Sequence, residues 1–413
     1  MKQRRWMVLG VFLAGSAISL AQTLDSSTRA TIDGVIDQLK TNYLFAKNFD
    51  WETLRKQTLE AARKTPNGQE PRAAITGLLE TINDPAIVFS EWLTQEQVAR
   101  RREVGGIGIL ANAETGVIYE VFIGGAGEKA GLHVGDKIIT VNNKPAKIQA
   151  AHVFSSGKTV PMVVERNGQN LEINVALSTI SEELAEKITP MRAGRLGRVA
   201  YIEPDRTYME QEATRIRLAT GLQYNLRTLE NSGACGYIVD FRRGAGDFAV
   251  SLSGFGPLLT TTDQPLLKIN RLEQGVFSFL YEPSSGNAKR DLSIIASLGT
   301  RPWKPQRPDA PVAVLTSPFD GWALPILFVG RKNVRFFGEQ QLYPPFWYSS
   351  VSFKDGAYID FPSGYVLDRL GYQYDAPFEV DETIPTDWAT FGSKNDVVIQ
   401  AAQAWLESQP ACR

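Results

Sequence analysis

The stretch CGYIVDFRRGAGDFAVSLSGFGPLL, residues 235–259, holds a short apolar run, Gly236-Tyr237-Ile238-Val239-Asp240-Phe241, that reads as a buried strand. It ends in Arg242 and a glycine-rich loop, Arg243-Gly244-Ala245-Gly246. Outward from it the pattern alternates. Arg198 to Ile202 is a strand, Glu210 to Leu229 a helix, Pro311 to Leu315 a strand, Asn333 to Phe337 a strand one helix later, and Asp396 to Leu406 a closing helix. Strands alternating with helices predict an α/β layer structure.

Residues 104–178 change character, with strands predicted at 116–122, 137–141, 162–165 and 171–175. Asn167-Gly168 between the last two is a hairpin signal. Before that, helical spacing governs residues 22–103. Ile32, Val35, Ile36, Leu39 and Tyr43 share a face, as do Trp51, Leu54, Leu59 and Ala62 behind the N-cap candidate Asp50, and residues 73–82 form a third helix after the breaker Thr65-Pro66-Asn67-Gly68. Residues 1–21 have a basic start (Lys2, Arg4, Arg5), an apolar run, and Ser19-Leu20-Ala21 before Gln22, which predicts a signal peptide cleaved before Gln22, with an uncleaved anchor helix as the rival reading, and export to periplasm, envelope or exterior. After cleavage no stretch is apolar and long enough to span a bilayer.

The chain of 413 residues exceeds one ordinary core, and 43% hydrophobic with 22% charged residues is globular composition. A net charge of −1 gives no electrostatic case for nucleic acid. Two readings stand for Cys235 and Cys412: a disulfide, which export permits, or one buried and one tail thiol. No metal is expected, because His133 and His152 are the only histidines and neither has ligand spacing to a cysteine or carboxylate pair. His133 reads as a surface residue and His152 as a partly buried structural one.

VGGIGIL at 104–110 followed by GEKAGLHVGDKIITVNNKPA at 127–146 resembles a PDZ domain of the bacterial protease type. The resemblance implies a peptide site at Gly105, Gly106, Ile107, Gly108 and Ile109, where glycines expose backbone N–H groups to a terminal carboxylate and the strand edge accepts an extended peptide. The flanking segment Ile148 to Phe154 is short for the helix that should complete the groove.

Asp240-Phe241-Arg242 with its loop, and PVAVLTSPFDGWALPILFVGRKNVRFFGEQ at 311–340, resemble the core of the tail-specific (carboxyl-terminal processing) serine peptidases, tricorn-like branch. The resemblance implies a crotonase-like α/β core at 179–413 with an inserted PDZ domain at 104–178 and N-terminal helices at 22–103, and no cofactor. It makes Gly244, Ala245 and Gly246 the remnant of an oxyanion loop, where small residues let backbone donors approach. Asp247 stands where a second glycine is usual.

The chemistry departs from the family. The nucleophile step falls on Asp320, Gly321 and Trp322, and residues 319–329 contain no Ser or Thr. The lysine of one branch is missing from 340–350, and Ala86 stands where the other branch has its histidine. Pro325 interrupts the expected helix. Ser317 beside Asp320 is the weak remaining nucleophile candidate, since a carboxylate with a pKa near 3.9 is a poor base for an alcohol. Glu339 reads as a retained carboxylate or a strand-end charge. The aromatic stretch Tyr343 to Tyr348 fills the old cleft, forms a contact surface, or packs as an ordinary loop. The leading expectation is an inactive relative that binds peptide or protein C-termini, oligomeric state open. The alternatives are an active endopeptidase with a shifted catalytic set and a scaffold without peptide binding.

Overall fold

The computed structural model describes residues 24–65, 70–90, 105–111, 115–122, 124–145, 159–179, 191–204, 212–244, 246–318, 324–353 and 358–413. Residues 1–21, read above as a signal peptide, residues 148–154 with His152, Ala245, and Asp320-Gly321-Trp322 lie outside them. The chain divides into two units, residues 1–87 and 88–413.

In the first unit, helices α1 (Ser26–Asn42), α2 (Trp51–Arg63) and α3 (Glu70–Ile82) follow the predicted spacing. Asp25 accepts from the backbone N–H groups of Ser27 and Thr28 at 2.8 and 2.9 Å, and Asp50 from Thr53 at 3.2 Å, which satisfies donors that a helix start leaves open. The predicted apolar faces from Ile32 to Leu39 and from Trp51 to Ala62 are buried.

The second unit begins with β1 (Val88–Ser90), a strand where the sequence reading continued the helical region. The next elements are β2 (Gly105–Gly106), β3 (Ile109–Ala111), β4 (Ile118–Val121), a single helical turn α4 (Ala126–Lys129), β5 (Lys137–Val141), β6 (Lys144–Pro145), β7 (Thr159–Arg166), β8 (Gln169–Ala176) and β9 (Ser178–Thr179). They enclose a core of their own, with Ile118, Leu132, Met162, Val164 and Val175 at its centre. Asn167 and Gly168 join β7 to β8 with φ of 53° and 76°, the left-handed pair that a two-residue hairpin turn requires. Asp136 is buried and paired with Arg166 at 2.6 and 2.7 Å, and also accepts from the His133 N–H at 2.8 Å. The His133 side chain is exposed, as expected.

The remainder runs β10 (Arg192–Leu196), β11 (Val199–Glu203), α5 (Glu212–Asn231), β12 (Tyr237–Asp240), α6 (Phe248–Leu259), β13 (Pro265–Asn270), β14 (Val276–Glu282), β15 (Asn287–Arg290), β16 (Ser293–Ala296), β17 (Val312–Thr316), β18 (Val334–Gly338), β19 (Phe346–Ser352), β20 (Tyr358–Asp368), β21 (Gln373–Tyr374), β22 (Glu382–Thr383) and α7 (Val397–Ser408). One sheet has the order β10-β11-β12-β17-β18-β22, parallel except for β10. Its central strands are buried on both faces, and alternate residues enter different layers. Tyr237, Val239, Val312 and Val314 face α5 and α6, whereas Ile238, Ala313 and Leu315 face α7. The second sheet is antiparallel: β1, β20, β13, β14, β15 and β16 in that order, with β19 and β21 also on β20. The simple strand–helix alternation expected from 196 onward therefore fails over 265–296 and 346–374, which form this second sheet.

Cys235, just before β12, is bonded to Cys412 beyond α7, 177 residues away. The disulfide fastens the closing helix to the parallel sheet. Cross-linking so distant a pair constrains the unfolded chain strongly, by roughly 2–5 kcal/mol. Replacing both cysteines with serine is expected to lower unfolding free energy within that range in urea titrations. Two titratable thiols in the denatured, unreduced protein would contradict the pairing.

Candidate active site

The C-terminal ends of β11, β12 and β17 converge on the loop that follows β12. Asp240 and Arg242 flank a core residue, Phe241, so their side chains return to the same side. The Arg242 guanidinium is fully buried. It donates to Asp240 at 3.0 and 2.7 Å and to Asp396 at 3.0 and 2.8 Å, two forked pairs on one planar group. The Phe391 ring lies 4.6 Å from its central carbon. Asp396 is also the N-cap of α7, accepting from Val398 and Ile399 at 3.1 and 3.3 Å. The Tyr201 hydroxyl donates to Asp240 at 2.9 Å. Burial pushes the Asp240 carboxyl up, but the Arg242 charge and hydrogen bonds more than offset this and hold it below its ordinary value. Arg242 is raised, because the two carboxylates outweigh the burial that lowers it.

Ser317 is buried beside this triad, and its hydroxyl donates to the Arg242 carbonyl at 2.7 Å. In this hydrogen bond the serine proton is directed at a carbonyl oxygen and not at a general base. On the next strand, Gly338 has φ of 111°, and a Cβ there would lie 2.3 Å from the Thr316 carbonyl oxygen, so β17 and β18 meet only because this position is glycine. Glu339 accepts from the Thr386 N–H at 2.9 Å, a strand-end role. Pro325 opens a four-residue 3₁₀ turn, Pro325–Phe328, so the proline strain expected of a helix interior does not arise.

In the glycine loop, the Gly244 N–H donates to the Phe241 carbonyl at 2.8 Å and thus closes a turn. Gly246 has φ of 63°. Asp247, the departure from the family pattern, caps α6 through Ala249 and Val250 at 2.9 and 3.1 Å and is paired with Arg215 at 2.7 Å. Arg243 turns the other way and bridges Glu203 of β11 and Glu120 of β4, and Arg192 also meets Glu120 at 2.8 Å. Burial raises the Glu203 carboxyl, and the facing Arg243 charge only partly offsets this. Tyr119, Trp388 and Phe391 stack alongside, with centroids 4.8–5.9 Å apart. These contacts between the β4 region and the core were missed from sequence, where no local pattern links residues so far apart.

Ala86, in the first unit, is buried, and its N–H donates to Asp84 at 2.9 Å; Asp84 also accepts the Tyr43 hydroxyl at 2.5 Å. Of the aromatic stretch, Trp347 packs on Phe248, Phe277 and Phe279 with centroids 5.2–6.4 Å away, which is core packing, while Tyr343 stays partly exposed.

At the expected peptide site, β2 pairs with β9 and β3 pairs with β4. Gly108 has φ of 75°, and a Cβ there would lie 3.2 Å from the Gly125 Cα. The Ile107 side chain enters the core, so it shapes the loop and does not line a groove; Ile109 packs partly against that core.

The PDZ domain family matches residues 96–153. The carboxy-terminal processing protease CtpB of Bacillus subtilis (strain 168) is 27% identical over 206 residues, 48% of this chain and 42% of CtpB. CtpA of the same organism is 26% identical over 260 residues, 58% of this chain and 50% of CtpA. The chain thus matches about half the length of these curated relatives. The solved photosystem II D1 C-terminal processing protease shares the fold with a TM-score of 0.56 at 17% identity, over 94% of this chain and 99% of that one.

Replacing Arg242 by leucine strands two buried carboxylates and is expected to cost 3–5 kcal/mol near neutral pH. Asp240 is depressed in the native protein, so its stabilising contribution fades as pH falls through that low pKa. In the variant its pKa rises instead, and the gap to the native protein narrows as pH falls toward about 4. Urea unfolding at several pH values checks both the size and the direction. A loss below about 1 kcal/mol at pH 7 would be that of an exposed pair.

Proposed function

We propose that this homologue of the carboxy-terminal processing proteases, which carries a PDZ domain, binds peptide or protein C-termini without cleaving them. The observation that carries the proposal is the Ser317 hydroxyl donated to the Arg242 carbonyl, in a chain whose residues 318–330 contain no Ser, Thr, Lys or His. Amide hydrolysis by a serine needs a hydroxyl and a proton acceptor side by side, and the segment that holds the nucleophile in the resembled family offers neither. The proposed degenerate positions are Ala86, Asp320, Gly321 and Trp322, with Gly244, Ala245 and Gly246 as the sequence remnant of the oxyanion loop.

Binding needs less. Strand addition at the edge of β3 uses backbone groups, and the PDZ resemblance places the carboxylate of the bound peptide at the neighbouring glycine segment that includes Gly108. Export is part of the proposal. The basic and apolar start of the sequence supports it, and so does the Cys235–Cys412 disulfide, a bond that persists in oxidising compartments. No described helix is long and apolar enough to cross a membrane.

Incubation with a fluorophosphonate probe is expected to leave the protein unlabelled. Stoichiometric labelling that disappears in Ser317→Ala would instead establish an active enzyme. Fluorescence anisotropy with a peptide ending in a free carboxylate is expected to give a Kd about tenfold below that of its amidated twin, or roughly 1.4 kcal/mol. Gly108→Val is expected to abolish that preference. Equal affinity for both peptides would leave the scaffold reading in place.

A further inference from the structure

Away from the candidate active site, a cavity of about 500 Å³ lies between α5 and the segment Thr300–Lys304. Thr220, Tyr224 and Arg227 come from one face of α5, at positions four and three apart, so their side chains rise on the same side. Arg301 and Lys304 come from the facing segment. That segment is fastened to the helix at two points. The Gly299 N–H donates to the Thr220 hydroxyl at 2.9 Å, and the Trp303 N–H to the Gln223 side-chain oxygen at 2.8 Å. Gln223 is held in turn by the Ser253 carbonyl at 2.9 Å. The cavity walls are therefore fixed by hydrogen bonds and by the buried Trp303 ring, whose N–H reaches Glu230 at 3.2 Å.

The charge around this cavity is unbalanced. Arg227, Arg301 and Lys304 all line it, and among the described residues no carboxylate does. None of the three is ion-paired with a described residue. The neighbouring Glu230 is buried, and its oxygens accept from Trp303, Gln306 and Arg307. Several cations elsewhere are matched, Arg242 with two carboxylates, Arg243 with two, and Arg166 and Arg215 with one each, while Arg331 and Arg369 are held by backbone carbonyls. Three unmatched cations converging on a fixed cavity with Thr220, Thr300 and Tyr224 hydroxyls at its wall make the donor set that phosphate-type oxyanions select: forked guanidinium donors, a mobile ammonium, and neutral O–H groups. The exposed Tyr224 ring adds a flat apolar surface for whatever the oxyanion is attached to.

We infer that this cavity binds a phosphate-bearing ligand, with Arg227, Arg301 and Lys304 as its charge partners. The site is independent of the reading of the active site, and nothing in it depends on hydrolysis. Because the three cations are exposed, binding weakens as ionic strength rises.

The test uses residues 22–413 and inorganic pyrophosphate as probe, titrated by calorimetry at constant ionic strength with sodium chloride as the reference salt. Saturable binding that drops at least tenfold in Arg227→Gln/Arg301→Gln, and at least threefold in Lys304→Gln alone, is the expected result. Unchanged far-ultraviolet circular dichroism and melting temperature in the unliganded variants establish that they fold. A second arm measures co-sedimentation with phosphatidylcholine vesicles containing phosphatidic acid. Vesicle binding lost in the same variants, with little response to pyrophosphate, supports the site and assigns its phosphate to a lipid headgroup. Absence of binding in both arms, or binding that survives the substitutions, overturns the inference.

Discussion

A single buried cation holds the centre of this molecule together. Arg242 joins the end of β12 through Asp240 to the start of α7 through Asp396, residues 154 apart, and its own carbonyl receives the Ser317 hydroxyl from the end of β17. Dehydrating three charges costs several kcal/mol for each ion, and attraction repays that only where the geometry satisfies nearly every donor and acceptor. Here it does: two forked pairs, the Tyr201 hydroxyl, the open N–H groups of α7 and the Phe391 ring share the load. An ammonium could not serve two carboxylates in one plane, so lysine would not substitute. The carbonyl that takes the Ser317 proton belongs to the residue whose guanidinium is held in this way.

The next residue, Arg243, carries the constraint outward. Consecutive arginines point to opposite sides of the chain, one into the layer beneath α7 and the other toward Glu203 and Glu120. The glycine loop is thereby anchored from the core on one side and from the β4 region on the other, and Phe391 lies against both guanidinium groups. A loop anchored this way has few conformations to lose, and the left-handed geometry at Gly244 and Gly246 is held by its neighbours.

What the sequence disclosed and what it concealed divide along physical lines. Periodicity carried α1, α2, the parallel strands and α7, because each buries a regular stripe or a continuous run. Asn167-Gly168 announced its hairpin because few other pairs reach that backbone conformation. Helix α6 passed unnoticed: Gly254, Gly256 and Pro257 argue against a helix, yet burial from Ala249 to Leu259 overrides propensity, and the glycines admit the Leu222 and Tyr281 side chains. The strands from Pro265 to Ala296 are half solvated and interrupted by lysines, arginines and turns, so their alternation is faint. At the candidate site, Asp240 and Arg242 were visible as a motif, while Asp396, Glu120 and Glu203 were not, since charge pairing across long separations leaves no trace in spacing.

The elements that stabilise this chain are separable from those that hydrolysis requires. The disulfide, the Arg242 triad and the two-faced sheet require no nucleophile and no base, so a sequence can lose both and keep every large term in its stability. Hydrolysis depends on two particular side chains at hydrogen-bonding distance, and a substitution at either removes it. Strand addition depends on backbone groups that every residue except proline supplies, together with glycines already required for close approach at Gly108. Loss of either catalytic side chain therefore leaves the fold and its strand edges intact.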